Sequence, residues 1–185
     1  MGFDVYGMNP VMREIDESKY ALYNKYNPME FSDRMEIFED EEGLQDKFYT
    51  EMRTREEENP GIYFRNNVWW WRPLWNYVCN ECDDMLGEDD CNAGNHNDGH
   101  HITEEQASAI AKRLFELIES GDTKGYEDFH KRKADEADAD NERYIADGGK
   151  KYGDGWNWAD SYPFNVDNVR NFATFCAESG GFEIC

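Results

Sequence analysis

Any interior this chain builds has to be made largely of rings. Only 39 percent of its 185 residues are apolar, yet aromatics alone reach 15 percent, with six Trp, 11 Tyr and 11 Phe. A large ring buries far more area than an aliphatic side chain, so a core stays within reach of one domain of this length. The rings gather most densely at residues 61 to 77, G-I-Y-F-R-N-N-V-W-W-W-R-P-L-W-N-Y. Three consecutive Trp cannot all face the same way on a strand or a helix. At least one of them has to leave the core side.

The pattern around that stretch predicts an α+β domain over 1 to 185, dominated by helices, with a few short strands. Residues 1 to 10 alternate through Phe3 and Val5 and read as a strand that ends at an Asn9-Pro10 turn. Residues 11 to 60 hold 15 Asp/Glu against seven Lys/Arg. Phe31, Met35, Ile37, Phe38, Leu44 and Phe48 suit one narrow apolar face there, so the segment reads as an acidic helical insertion. Ile62, Tyr63 and Phe64 favour a strand. Pro73 suits the first turn of a helix, continued through Leu74, Trp75, Val78, Cys82 and Met85 and stopped by Gly87. Residues 88 to 102 read as a loop. Thr103 with Gln106 forms a capping box for the clearest helix, whose stripe is Ala107, Ile110, Ala111, Leu114, Leu117 and Ile118, with Gly121 at its end. A helix through Tyr126 and Phe129 gives way to a loop at 148 to 155. Asn165 caps a last helix through Val169, Phe172, Ala173 and Cys176. Ser179-Gly180-Gly181 ends it, before a short strand at Phe182 to Cys185.

Charge excludes whole classes of partner. Formal net charge is −22, from 41 Asp/Glu and 19 Lys/Arg. That field repels a phosphate backbone and an anionic bilayer, so direct nucleic-acid and membrane binding are not expected. No apolar run approaches the length of a membrane span, and the start carries no basic, apolar signal pattern. Five cysteines without such a pattern read as free thiols of a reducing compartment, and the expected location is the cytoplasm.

Three constellations carry candidate chemistry. First, Arg65 and Arg72 bracket Trp69, Trp70 and Trp71, with Asn66 and Asn67 between. Indole faces stack planar groups, guanidinium forks onto phosphate or carboxylate, and amides supply donors and acceptors. Together these suit a nucleotide-like or otherwise anionic small molecule. Second, Asn97, Asp98 and His100 lie in a loop holding His96, His100 and His101. Asp98 orienting a histidine would suit a hydrolytic site. No nucleophile elbow and no phosphate loop accompanies it. Third, Cys79 and Cys82, then Cys91 and His96, have the ligand count of a structural zinc site in loose spacing. The helical spacing of Cys79 and Cys82 equally suits packed thiols. The acidic runs lack the spacing of a calcium loop and read as solvated.

Several pieces resemble an uncharacterised family of small proteins met in bacteriophage and bacterial genomes. They are M-G-F-D-V-Y-G with Asn9-Pro10, Y-F-R-N-N-V-W-W-W-R-P-L-W at 63 to 75, and N-D-G-H at 97 to 100. The helix from Thr103, Y-P-F at 162 to 164, the Asn168-Val169 helix and F-x-x-F-C-x-x-S-G-G-F-x-I-C to Cys185 complete the set. They cover roughly half of the chain. The resemblance implies that 11 to 60 is inserted. It carries over no zinc ribbon, because residues 133 to 157 contain no cysteine. It implies a phage setting and no reaction.

The expectation is a non-enzymatic phage accessory protein without a resident cofactor, able to self-associate. It would bind an anionic small molecule and sequester a host-defence signal. Two alternatives stand beside it. One is an acidic protein that occupies a basic site on a host protein by imitating DNA. The other is a hydrolase built on His96, His100 and Asp98.

Overall fold

The computed structural model describes residues 2 to 185, apart from the side chain of Asp160. Four strands, β1 (Gly2–Gly7), β2 (Tyr63–Asn67), β3 (His100–Ile102) and β4 (Phe182–Ile184), form one antiparallel sheet in the order β2-β1-β4-β3. Eight α-helices are described: α1 (Ala21–Tyr26), α2 (Phe31–Asp40), α3 (Leu44–Glu57), α4 (Val68–Glu81), α5 (Glu88–Ala93), α6 (Glu104–Ser120), α7 (Asp122–Ala146) and α8 (Val166–Glu178). The helix-dominated α+β class expected from the sequence is the class found.

Strand alternation divides the sheet into two unlike faces. Phe3, Val5, Ile102, Phe182 and Ile184 point inward and are buried. They meet Trp71, Leu74, Trp75 and Val78 of α4, Ile110 and Leu114 of α6, and Phe172, Phe175 and Cys176 of α8. Asp4, Tyr6, Tyr63, Arg65, His101 and Glu183 occupy the opposite face. There the Tyr63 hydroxyl donates to Asp4, and Arg65 stands 3.4 Å from the same carboxylate. Burial and that carboxylate together push the Tyr63 phenol well above its usual range.

The core is assembled from rings, as the composition demands. Trp71 stacks on Phe3 at 5.2 Å and on Trp75 at 5.4 Å, and Phe172 meets both indoles edge-on. Both indole N–H groups of this stack find a carbonyl, Trp71 with Gly94 at 2.8 Å and Trp75 with Cys91 at 3.0 Å. That pairing removes the cost of an orphaned buried donor. It also explains Gly94, where an added Cβ would stand 2.2 Å from the Trp75 ring.

Residues 8 to 62 leave and re-enter the sheet at adjacent points, with the Gly7 N–H donating to the Ile62 carbonyl at 2.9 Å. Between those points α1, α2 and α3 bury a core of their own from Tyr26, Phe38, Leu44 and Phe48. Phe31, placed on the apolar stripe by its spacing, is 64 percent exposed instead. It is the first residue of α2 and stays outside the cluster that Phe38 joins. A fork ties the excursion to the body, with the Arg13 guanidinium on both oxygens of Glu178 at 2.5 and 2.7 Å.

Two boundaries differ from expectation. The helix assigned to start at Pro73 starts at Val68, because the Asn67 side chain accepts from the Trp69 and Trp70 N–H groups at 3.0 and 3.1 Å. Asn67 is therefore an N-cap. The stretch read as a loop at 88 to 102 contains α5 and β3. Glu88, Asp89 and Asp90 occupy the first turn of α5, where the helix dipole favours negative charge. The capping box at Thr103 and the Asn165 cap form as expected, with 3.2 Å and 2.7 Å contacts to the Gln106 and Asn168 N–H groups. No helix among the described residues is long and apolar enough to cross a membrane.

Candidate functional site

The consecutive tryptophans separate in the way helical geometry requires. Trp71 is sealed in the core, Trp70 is half-buried and Trp69 is 41 percent exposed. The flanking arginines separate too. Arg65 lies on the sheet face that carries Asp4, away from α4. Arg72 is exposed one residue after the buried Trp71. The two guanidiniums do not converge on one ligand. Asn66 is engaged by Asn168 at 3.0 Å, and Asn67 is consumed by the cap.

Arg72 instead joins side chains remote in sequence. It lines a groove of about 340 Å³ with Pro73 and Asn76 of α4, Tyr126 and His130 of α7, and Tyr162. The segment from 158 to 164 crosses over α7 here: Phe164 meets Tyr126 at 4.7 Å and Tyr77 at 5.1 Å. Behind that contact the Tyr77 hydroxyl bonds Thr123 at 3.0 Å, both of them buried. Tyr162 packs on Trp69 with ring centroids 5.1 Å apart, so the exposed indole borders the groove. A neighbouring cleft of about 470 Å³ shares His130 and Tyr162 and adds Lys124, Glu127, Asp128 and Lys131.

Among the described residues no carboxylate lies within 4 Å of Arg72 or of Lys131. In the neighbouring cleft Lys124 bridges two carboxylates, Glu127 at 2.5 Å and Asp128 at 2.8 Å. Glu127 also accepts from the Val166 N–H at the start of α8 at 3.1 Å. Its carboxyl sits below the usual carboxylate range, chiefly through Lys124. Arg72 therefore stands beside Tyr126, His130 and Tyr162 with no carboxylate of the described residues against it.

Burial lowers the His130 pKa below its ordinary 6.5. The unfolded chain therefore takes up a proton at a pH where the folded chain does not. Stability contributed by neutral His130 is full above 6.5 and drains away as pH falls through the folded value. Between pH 6.5 and about 5, above most carboxylate titration, the melting temperature is expected to fall less steeply in His130→Gln than in the parent. Parallel thermal melts across that window check it, and superimposable slopes would refute the burial argument.

The other expected clusters come apart. His100 is oriented by Asp90, at 2.9 Å, and not by Asp98. The second oxygen of Asp90 accepts from Gln106 at 2.9 Å and from the Gly87 N–H at 3.1 Å. This knot joins α5, β3 and α6 and engages both oxygens of Asp90 in structural contacts. His96 and Asp98 are exposed, and Asn97 ties its loop to the Gly2 carbonyl at 2.7 Å. Cys82 points into the core and burial lifts its thiol to about 12. Burial, with Cys91 alongside, raises the Cys79 thiol well above its usual range, while His96 is exposed. Among the described residues no three His, Cys, Asp or Glu side chains meet in a metal-holding group.

The chain matches no family model, and neither a curated protein nor a solved structure shows significant similarity to it. Its function has to be argued from the groove.

Proposed function

We propose that the chain is a non-enzymatic binder of a nucleotide-like anionic small molecule, held in the groove between α4 and α7. One observation carries the reading: Arg72, exposed and with no carboxylate partner among the described residues, stands among Tyr126, His130 and Tyr162 beside Trp69. A guanidinium forks onto phosphate oxygens, and a ring alongside takes the planar part of the same ligand. Asn76 adds a donor and an acceptor on the same wall. The groove volume lies at the lower end of the range for small-molecule sites, roughly 300–1,000 Å³.

The net charge of −22 opposes an anion at long range only. Salt screens exposed charges beyond a Debye length of about 8 Å at physiological ionic strength. Inside that distance the two acids of the neighbouring cleft, Glu127 and Asp128, face two ammonium groups, Lys124 and Lys131. The site offers no paired acid and base and no activated nucleophile. That absence of machinery favours retention of the ligand over turnover. In the phage setting that the motifs resemble, retention of a host signalling nucleotide would withhold it from its receptor.

Isothermal calorimetry with adenosine and guanosine 5′-monophosphates tests the reading. Saturable binding at one molecule per chain is expected, with quenching of indole fluorescence from Trp69. Absence of heat and of quenching at millimolar nucleotide overturns it.

A further inference from the structure

A second cleft of about 520 Å³ opens beside Trp69, lined by Trp69, Tyr152, Trp158 and Ser161. Its three rings are unusually exposed for their size, Trp69 by 41 percent, Tyr152 by 58 percent and Trp158 by 44 percent. They are also ordered against one another. Tyr152 stacks on Trp158 at 5.4 Å with planes 15° apart, and Trp156 closes on Tyr152 edge-on at 5.1 Å. The loop holds them at a cost. Tyr152 is the one described non-glycine residue at positive φ, +62°, a region that L side chains avoid. The Trp156 indole N–H is buried without a partner among the described residues. Strain and unmet donors of this kind gather where a ligand is clamped.

The cleft is continuous with the Arg72 groove through one ring pair. Trp69 lines the cleft, Tyr162 lines the groove, and they pack at 5.1 Å. The cationic balance extends across the junction. Lys151 sits 5.0 Å over the Tyr152 ring and makes no ion pair among the described residues. Two ring-lined hollows therefore adjoin, one lined by Arg72 and the other bordered by Tyr152 with Lys151 over its ring, and neither cation has an ion pair among the described residues.

We infer that the aromatic cleft is a second base subsite, and that the ligand class is a dinucleotide. The inference rests on the reading of the Arg72 groove as an anion site. One base stacks within the groove on Tyr126 or Tyr162, the bridging phosphate meets Arg72, and the second base stacks on the Tyr152–Trp158 pair. Indole and phenol faces accept any base, so shape and length, more than base identity, set the preference.

Calorimetry with AMP and with the linear dinucleotide pApA separates the two claims. The parent protein is expected to bind pApA about tenfold more tightly than AMP, the increment of one added stacking contact. Trp158→Ala is expected to remove that advantage while leaving the AMP constant within about twofold. Tyr152→Gly serves as the second variant, because glycine adopts φ +62° without strain and the fold is kept. Equal affinities for AMP and pApA in the parent, or an advantage that survives both variants, overturns the second subsite and leaves the groove standing. Absence of binding by either probe removes the groove reading, and the dinucleotide with it.

Discussion

Trp71→Ala is expected to destabilise the fold by about 3–5 kcal/mol, the usual result of truncating a sealed large ring. Trp71 has no solvent exposure, stacks between Phe3 and Trp75, and spends its N–H on the Gly94 carbonyl at 2.8 Å. Truncation removes the ring, leaves a cavity among Phe3, Trp75 and Phe172, and orphans that carbonyl. Each lost aromatic pair adds roughly 0.5–1.5 kcal/mol beyond area burial. For a chain of this length the melting temperature should drop by roughly 6–20 °C. Trp69→Ala, two residues earlier, should change stability by less than about 1 kcal/mol, since its ring is 41 percent exposed. Thermal and urea melts of the two variants check the contrast. Equal losses would mean that the helix does not sort its tryptophans into core and surface, and the aromatic wall of the groove would go with that sorting.

That sorting was partly readable from residue order. Three adjacent indoles had to diverge on any regular element, so at least one exposed Trp followed from geometry. Which one depended on where the helix began. Pro73 looked like an N-terminal residue, yet Asn67 captures the helix five residues earlier by accepting from two backbone N–H groups. The signal was local and present: Asn directly before an apolar run is a capping pattern. It was obscured because the same Asn could serve a ligand.

Strands β1 and β4 and helices α6 and α8 were legible for a simpler reason. Alternation at Phe3 and Val5, the Thr103 box and the Asn165 cap are all encoded within a few residues. The groove was not, because Arg72, His130 and Tyr162 are brought together only when 158 to 164 folds back over α7. His130 carried no local pattern, whereas the three clustered histidines at 96 to 101 did. Of those three, His100 became a structural tie to Asp90, ten residues away. The pairing with Asp98 was favoured by proximity in sequence, but β3 turns His100 toward α5.

In the proposed function Arg72 is the group that holds the ligand's phosphate, and its removal should be selective. Arg72→Ala is expected to weaken nucleotide binding by about 10-fold to 150-fold, corresponding to roughly 1.5–3 kcal/mol for a hydrogen bond to a charged group. Stability should stay within about 0.5 kcal/mol of the parent, because Arg72 is exposed and no described carboxylate is left unpaired by its loss. Arg72→Lys keeps the charge and loses the fork, so it should recover part of the affinity but not all of it. Arg65→Ala is the internal comparison. That arginine stands on the opposite sheet face, 3.4 Å from Asp4, and its removal should leave the dissociation constant within about twofold. Calorimetry on the three variants decides between the faces. A loss in Arg65→Ala as large as in Arg72→Ala would move the ligand onto the sheet, where Tyr6 and Tyr63 are the neighbouring rings. A loss in neither would mean that the one unpaired arginine among these rings has no anion to hold.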